Sequence, residues 1–236
     1  MKLGHIFLSY MLIFLLLPIN SPAMTDLPVQ SCLFEDEWNK LFSKKGITVY
    51  SQTTSYSNIL AFKAAGILKA PIEQVMEVLR KVEISEQWMP DIKQKITVKE
   101  VSDLEAITYS VNKMPWPFAD REMLLRNKLR LDREKKYLVV DVYSVDYNAY
   151  PVNKKNVRAH IHCGQTLIRP AGRVKTEVEL IIFLDPKGYI PTWLANIAQK
   201  SLPYNFLRAL EEKASTTNFE LRPTFQKMLN DLIALP

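Results

Sequence analysis

The chain has 236 residues, of which 47% are hydrophobic and 24% charged, with a formal charge of +6. These proportions fit an ordinary globular domain and exclude a disordered, collagen-like or multi-pass membrane chain. None of its six glycines has the spacing of a dinucleotide fingerprint or a phosphate-cradling loop, which argues against nucleotide chemistry.

At the N-terminus Lys2 precedes an apolar run from Ile6 to Leu17, followed by Pro18 and the small-residue stretch Ser21-Pro22-Ala23. The run is shorter than the roughly 20 residues needed to cross a bilayer. Ser21 and Ala23 occupy the minus-three and minus-one places of a cleavage site before Met24, so residues 1–23 read as a signal peptide. Export to a periplasm or the exterior follows, and an uncleaved anchor is the alternative. Removing Lys2 with the leader leaves a formal charge of +5, spread along the chain. Such mild basicity suits a transient anionic membrane surface. Nucleic acid is not an expected partner, because no run of five basic residues and no basic stripe interleaved with aromatics occurs. Cys32 and Cys163 are too few for a four-thiolate zinc site. They read as separate buried thiols, with a disulfide in an oxidising compartment as the alternative.

A short helix is expected over Leu33 to Phe42, ended by Gly46, then strands over Ile47 to Ser51 and Ile59 to Leu68. Ile72, Val75, Met76 and Leu79 have helical period after Pro71, a favoured first-turn residue, so Pro71 to Lys81 is an amphipathic helix. Beyond the connector Ile84 to Asp91 the period changes to two. Lys93 to Val101, Leu104 to Asn112, Glu122 to Leu131 and Lys136 to Val145 form an antiparallel meander. Asn156 to Arg169 and Arg173 to Leu184 follow as a hairpin pair across Pro170-Ala171-Gly172. A long helix from Thr192 to Ala214 is last, with Leu194, Ile197, Ala198 and Ser201 on one stripe and Phe206, Leu207 and Leu210 on another. Between them Pro203 removes the bond to Gln199 and predicts a kink, read either as a tolerated irregularity or as a hinge. This order makes an α+β domain over residues 24–214, a curved antiparallel sheet covering a terminal helix. Residues 215–236 add a helical extension, in which Phe225, Met228, Leu229, Leu232 and Ile233 form either a packing face or a surface for a membrane or partner.

Three segments in this order resemble the START domain, the steroidogenic acute regulatory protein-related lipid transfer family, over residues 34 to 214. The first is Val111-Asn112-Lys113-Met114-Pro115-Trp116-Pro117-Phe118-Ala119-Asp120-Arg121-Glu122, with Glu122 where the family usually has aspartate. The second is Val157-Arg158, Cys163-Gly164 and Ile168-Arg169-Pro170. The third, Asp185-Pro186-Lys187-Gly188-Tyr189-Ile190-Pro191-Thr192-Trp193-Leu194-Ala195-Asn196 with Leu202-Pro203 and Phe206-Leu207, looks nearest to the phosphatidylcholine transfer branch. The resemblance implies a helix-grip fold with an internal tunnel for one lipid, a monomeric carrier and not a catalyst. It implies no cofactor and no metal. Where some members hold a buried arginine–acid pair, spacing from Arg121 puts Asn127 and Thr108, a departure that removes charge from the tunnel.

Parity along the strands says the rest. If Met123, Leu125, Leu129 and Leu131 face inward, Asn127 does too, while Glu122, Arg126, Lys128 and Arg130 face water. A buried amide needs a partner, so Asn127 should meet a ligand group, a water or another polar side chain. Thr108 and Ser110 share a face and are candidate inward hydroxyls. The expected lipid-binding set is Thr108, Ser110, Arg121, Met123, Leu125, Asn127, Leu194 and Ile197, although Arg121 reads more readily as an ion-pair partner or a brace for its loop than as a headgroup ligand. The tunnel mouth is expected at Met114, Trp116, Phe118, Tyr189 and Ile190. Trp116, between two prolines, suits either membrane contact, where indole is favoured, or a packed loop anchor. His160 and His162 share a strand face, and without a third ligand they read as an outward, solvated pair and not as a zinc site. No Gly-x-Ser-x-Gly elbow occurs. The functional expectation is non-catalytic binding and transfer or presentation of a single lipid, a phospholipid being favoured. The rivals are a helix-grip enzyme acting on an apolar substrate and a ligand-gated protein-interaction module.

Overall fold

The computed structural model describes residues 24–26, 37–55 and 57–235, the first three by backbone alone. The expected signal peptide, Cys32 and the start of the expected first helix lie outside the described residues.

Strand β1 (Met24–Asp26) is followed by β2 (Asn39–Lys44), β3 (Ile47–Gln52) and β4 (Ala61–Leu68). Helix α1 (Ile72–Arg80) and a 3-10 turn (Val82–Gln87) lead to β5 (Ile92–Ser102), β6 (Glu105–Asn112), β7 (Arg121–Asp132) and β8 (Tyr137–Tyr147). Then come β9 (Val157–Arg158), β10 (His160–Pro170) and β11 (Thr176–Asp185), and helices α2 (Thr192–Gln199), α3 (Leu202–Ser215) and α4 (Pro223–Ile233). The sheet runs β2-β3-β4-β11-β10-β8-β7-β6-β5, with β1 on the far end of β8 and β9 alongside the start of β7. Every pairing is antiparallel except that of β7 with β9. The sheet curls around α2 and α3, which is the helix-grip arrangement that the element order implies.

The first expected helix is corrected: Asn39 to Lys44 is a strand. Leu41 is an extra residue where the β2–β3 register shifts between Lys40 and Phe42. Both Leu41 and Phe42 pack on the core, so the bulge destroys the period of two and leaves an apolar cluster that imitates a helical stripe. Gly46 is a hairpin turn and not a helix stop. Lys45 (φ 49°) and Gly46 (φ 77°) both take the left-handed conformation that a tight two-residue hairpin requires.

Helix α1 packs against α3 and the sheet through Ile72, Val75, Met76 and Val78, while Leu207, Leu210 and Ala214 of α3 enter the same core. The extension behaves as a packing helix: Phe225, Leu229 and Leu232 are buried in that core. Its approach is pinned by α1. Gln74 Nε2 donates to the Phe219 carbonyl at 3.0 Å and its Oε1 accepts from Phe219 N–H at 2.8 Å. Glu77 Oε1 accepts from Arg222 N–H at 3.0 Å.

The long final helix is broken and not merely kinked. Lys200 N–H still donates to Asn196 O, and Asn205 N–H restarts the pattern on Ser201 O, with Pro203 at the start of α3. Proline's missing N–H is harmless in a first turn and harmful inside a helix, so the chain resolves the conflict by ending α2 at Gln199.

Candidate functional site

Between the concave sheet and α2–α3 lies a cavity of about 750 Å³. Its walls are mainly apolar, drawn from α1 (Met76, Leu79), β6–β8 (Ala106, Leu125, Val142), β10–β11 (Ile161, Leu180, Leu184) and the final helices (Leu194, Ala198, Phe206), and Phe225 of α4 also lines it. Of the residues expected inside, Thr108, Ser110, Arg121, Met123, Leu125, Asn127 and Leu194 all line this space. Inward parity therefore holds along β7. Asn127 Nδ2 donates to Thr108 Oγ1 at 3.0 Å and to the Leu125 carbonyl at 3.2 Å, so the amide is satisfied by the wall itself. Asn127→Leu leaves the Thr108 hydroxyl without that donor and should cost about 1 kcal/mol. Cooperative unfolding with an altered lipid preference is the expected result, and an unchanged bound-lipid profile would remove Asn127 from the binding surface.

Ile197 is corrected. It is 63% exposed and absent from the cavity wall, where Ala195 and Ala198 stand in its place. Successive residues of a helix turn by about 100°, and the inward arc is centred on Leu194, Ala195 and Ala198. Trp193 and Ile197, one turn apart, share the outward side. Of the stripe Leu194, Ile197, Ala198 and Ser201, only Ile197 leaves the wall, and Ala195 takes its place there.

Arg121 resolves as the brace. It is buried, its Nε donates to the Pro186 carbonyl and its Nη2 to the Lys187 carbonyl, both at 2.9 Å, and its Nη1 donates to the Ala119 carbonyl. One guanidinium thereby ties the loop before β7 to the turn before α2, the two lips of the cavity. A side chain at Gly188, where φ is +72°, would place its Cβ only 3.2 Å from Arg121 Nη2. Burial holds the Arg121 guanidinium below its ordinary pKa, and three of its five N–H groups donate to carbonyls.

At the lips, Met114, Phe118 and Ile190 line the cavity. Trp116 instead is 93% exposed and Tyr189 is fully exposed, so neither is a packed anchor. Trp193 (64% exposed) and Ile197 continue the same apolar exposure along α2. Trp193 was not expected at this surface; its spacing of four from Ile197 was the available signal.

Glu122 does not face water. It points away from the cavity but is wholly buried, because the segment after β8 folds over it. Arg158 Nε donates to its carboxylate at 2.8 Å, Tyr109 Oη at 2.9 Å, and Asn156 Nδ2 and Asn153 N–H at 3.2 Å. Burial alone would push this carboxyl up, but those donors outweigh it and hold it below the ordinary carboxylate value. Burial and the neighbouring Glu122 push the Tyr109 phenol up to about 12.

The histidines are also corrected. His162 is the extra residue where the β10–β11 register shifts, and the bulge turns it into the protein. It stacks on Phe183 at 4.6 Å between ring centroids, with His160 edge-on at 4.3 Å. Burial, reinforced by His160, brings His162 down to about 4. Cys163 is disulfide-bonded, which corrects the reading of separate thiols. Among the described residues no group of three or more His, Cys, Asp or Glu could hold a metal, and no helix is long and apolar enough to cross a membrane.

The cavity is not free of charge. Lys95 of β5 lines it, opposite Ser110 in the β5–β6 ladder. Parity could not find it, since β5 shifts register three times in eleven residues.

Comparison with known proteins agrees with this architecture. The chain is 27% identical to phosphatidylcholine transfer protein from Mus musculus over 176 residues, 73% of this chain and 81% of that one. It is 29% identical to a solved STAR-related lipid transfer protein fragment from Xanthomonas axonopodis, with a TM-score of 0.67, covering 76% of this chain and 99% of that one. Human STARD10 shares the fold with a TM-score of 0.70 at 21% identity, covering 84% of this chain and 80% of that chain. A START domain family model matches residues 22–214. With the curved sheet, the gripped helix and the cavity already established, that match settles the family: the chain belongs to the START domain family.

Proposed function

We propose that this protein encloses one lipid in its cavity, a phospholipid or other acyl lipid, and carries or presents it without chemically altering it. The observation that carries this reading is the mainly apolar cavity of about 750 Å³ under α2 and α3. Each methylene buried there contributes about 0.8 kcal/mol, so a single acyl chain supplies ample affinity. The likeness to a phosphatidylcholine transfer protein supports the same ligand class. A non-catalytic role is supported by the likeness to a phosphatidylcholine transfer protein and by the mainly apolar wall. Native mass spectrometry of the full chain purified from its own host tests the reading. A stoichiometric lipid is expected, and an empty cavity under lipid-replete conditions would overturn it.

The exposed Trp116, Tyr189, Trp193 and Ile197 form the surface with which the monomer touches a membrane while loading or unloading. Indole and phenol rings favour the headgroup zone, and the formal charge of +6 assists on anionic bilayers. Trp116→Ala should slow lipid transfer between vesicles while stability stays within about 0.5 kcal/mol, as for other surface substitutions. A parallel loss of transfer and stability would return Trp116 to a structural role. The disulfide at Cys163, together with the leader-like residues 1–23, supports action in an oxidising compartment, a periplasm or the exterior.

A further inference from the structure

Resting on the lipid-binding reading, the remaining question is which lipid class the cavity selects. Its polar groups divide into those satisfied by the protein and those left over. Thr108 Oγ1 accepts from Asn127 Nδ2, and Arg121 donates to three carbonyls. The acids in the wall are engaged or apart: Glu105 pairs with Arg126 at 3.2 Å, Asp103 accepts from Thr224 at 2.7 Å, and Asp91 makes no ion pair with Lys95.

What is left over is mostly donors. Lys95 has an ammonium with three N–H groups, and its one polar contact among the described residues is Met89 Sδ at 3.6 Å, a weak acceptor. Ser110, 4% exposed and directly across the ladder from Lys95, makes no side-chain hydrogen bond with a described residue. Gln199, 7% exposed, brings a buried Nε2 to the wall with no acceptor. Asn112 Oδ1 is the unmet acceptor in this wall.

We propose that the cavity selects a lipid whose polar head is an oxyanion, a carboxylate or a phosphate, seated against the Lys95 ammonium and the Ser110 hydroxyl. Lys95 is half-buried on an apolar wall with no counter-charge within ion-pair distance among the described residues, so an oxyanion head is the partner that completes it. Charge-assisted hydrogen bonds are roughly twice as strong as neutral ones, which turns the vacancy into discrimination. Desolvation lowers Lys95 to about 8; it remains predominantly protonated at neutral pH, and a bound anion would raise it again. The sequence resemblance implied an uncharged tunnel, and the charge has instead moved to β5, across the ladder from Ser110.

The test uses the full chain, stripped of lipid, and two matched pairs of probes delivered as cyclodextrin complexes: oleate against oleyl alcohol, and dioleoyl phosphatidic acid against dioleoylglycerol. Within at least one pair the anion should bind roughly tenfold tighter or more than its neutral partner. Preference in the first pair identifies a free fatty acid head, and preference in the second a phospholipid phosphate. Lys95→Met should abolish the preference by weakening binding of the anion more than that of its neutral partner, and Ser110→Ala should weaken it in part. Equal affinities within both pairs, or a preference that survives Lys95→Met, would overturn the oxyanion proposal while leaving the lipid-binding reading intact. If none of the four binds, the oxyanion proposal also falls, and the host-purified protein's mass spectrum decides separately whether lipid binding falls with it.

Discussion

Glu122→Ala is expected to destabilise the protein by about 3–5 kcal/mol, the range for removing one partner of a buried ion pair. The carboxylate is wholly buried, and the Arg158 side chain it holds is itself only 19% exposed, so partial access to water places the effect toward the lower end. For a chain of this size the corresponding fall in Tm is roughly 6–20 °C. The loss is not of one bond: Tyr109, Asn153 and Asn156 lose their acceptor at the same time, and the segment after β8 is left tied to β7 by the β7–β9 backbone pairing without these side-chain bonds. Replacing both charged partners, Glu122→Leu with Arg158→Met, should recover much of the stability, because the penalty comes from the uncompensated charge. The pH dependence has a definite sign. The folded carboxyl lies below its unfolded value, so its stabilisation is complete above the ordinary glutamate range and is lost as pH falls through the lower, folded value. Urea unfolding across acid pH should therefore show a shallower acid limb for Glu122→Gln than for the unaltered chain. Identical acid limbs would mean that Glu122 is not the ionised hub of this face.

Release of α2 is expected to govern lipid exchange. This helix buries only Ala195 and Gln199 against the protein, and the break before α3 separates its helical hydrogen bonds from those of the segment that carries the firmly packed Leu207 and Leu210. Its side-chain attachment runs through Asn196, whose Oδ1 accepts from Leu60 N–H at 2.9 Å and whose Nδ2 donates to the Asn58 carbonyl at 3.1 Å. Asn196→Ala removes both bonds, each contributing about 0.5–1.5 kcal/mol. If opening is rate-limiting, exchange should accelerate by about tenfold, while global unfolding, dominated by the α1–α3 core, changes little. The converse experiment is a disulfide engineered between α2 and the Met114 to Phe118 loop. Exchange should stop when it is oxidised and return on reduction. Exchange that continues in the oxidised form would show that lipid enters elsewhere, and the break near Pro203 would then be only a structural accommodation.

The sequence by itself determined the order of the regular strands and helices from Pro71 onward, except that β9 and β10 read as one strand and α2 and α3 as one kinked helix, because period two and period 3.6 are local properties of the chain. It also determined that Thr108, Ser110, Met123, Leu125 and Asn127 face one way, because parity along a regular ladder needs no knowledge of the neighbours. Pro203 announced the break in the last helix for a similarly local reason. Every misplaced element lies where regularity fails or where burial depends on something distant. The bulge at Leu41 disguised β2 as a helix, the bulge at His162 turned an outward histidine inward, and three register shifts in β5 hid the approach of Lys95 to the cavity. Glu122 was read on its correct face, yet only the folding of Asn153, Asn156 and Arg158 over that face made it buried. Ile197 was placed inside because apolar residues usually belong there, but the tertiary structure reserved the inner arc of α2 for Ala195 and Ala198, since the volume opposite them is a cavity and not a core. The tertiary structure alone decided which polar groups the protein satisfies internally and which it does not, because hydrogen-bond satisfaction is a property of three-dimensional neighbours and not of sequence spacing.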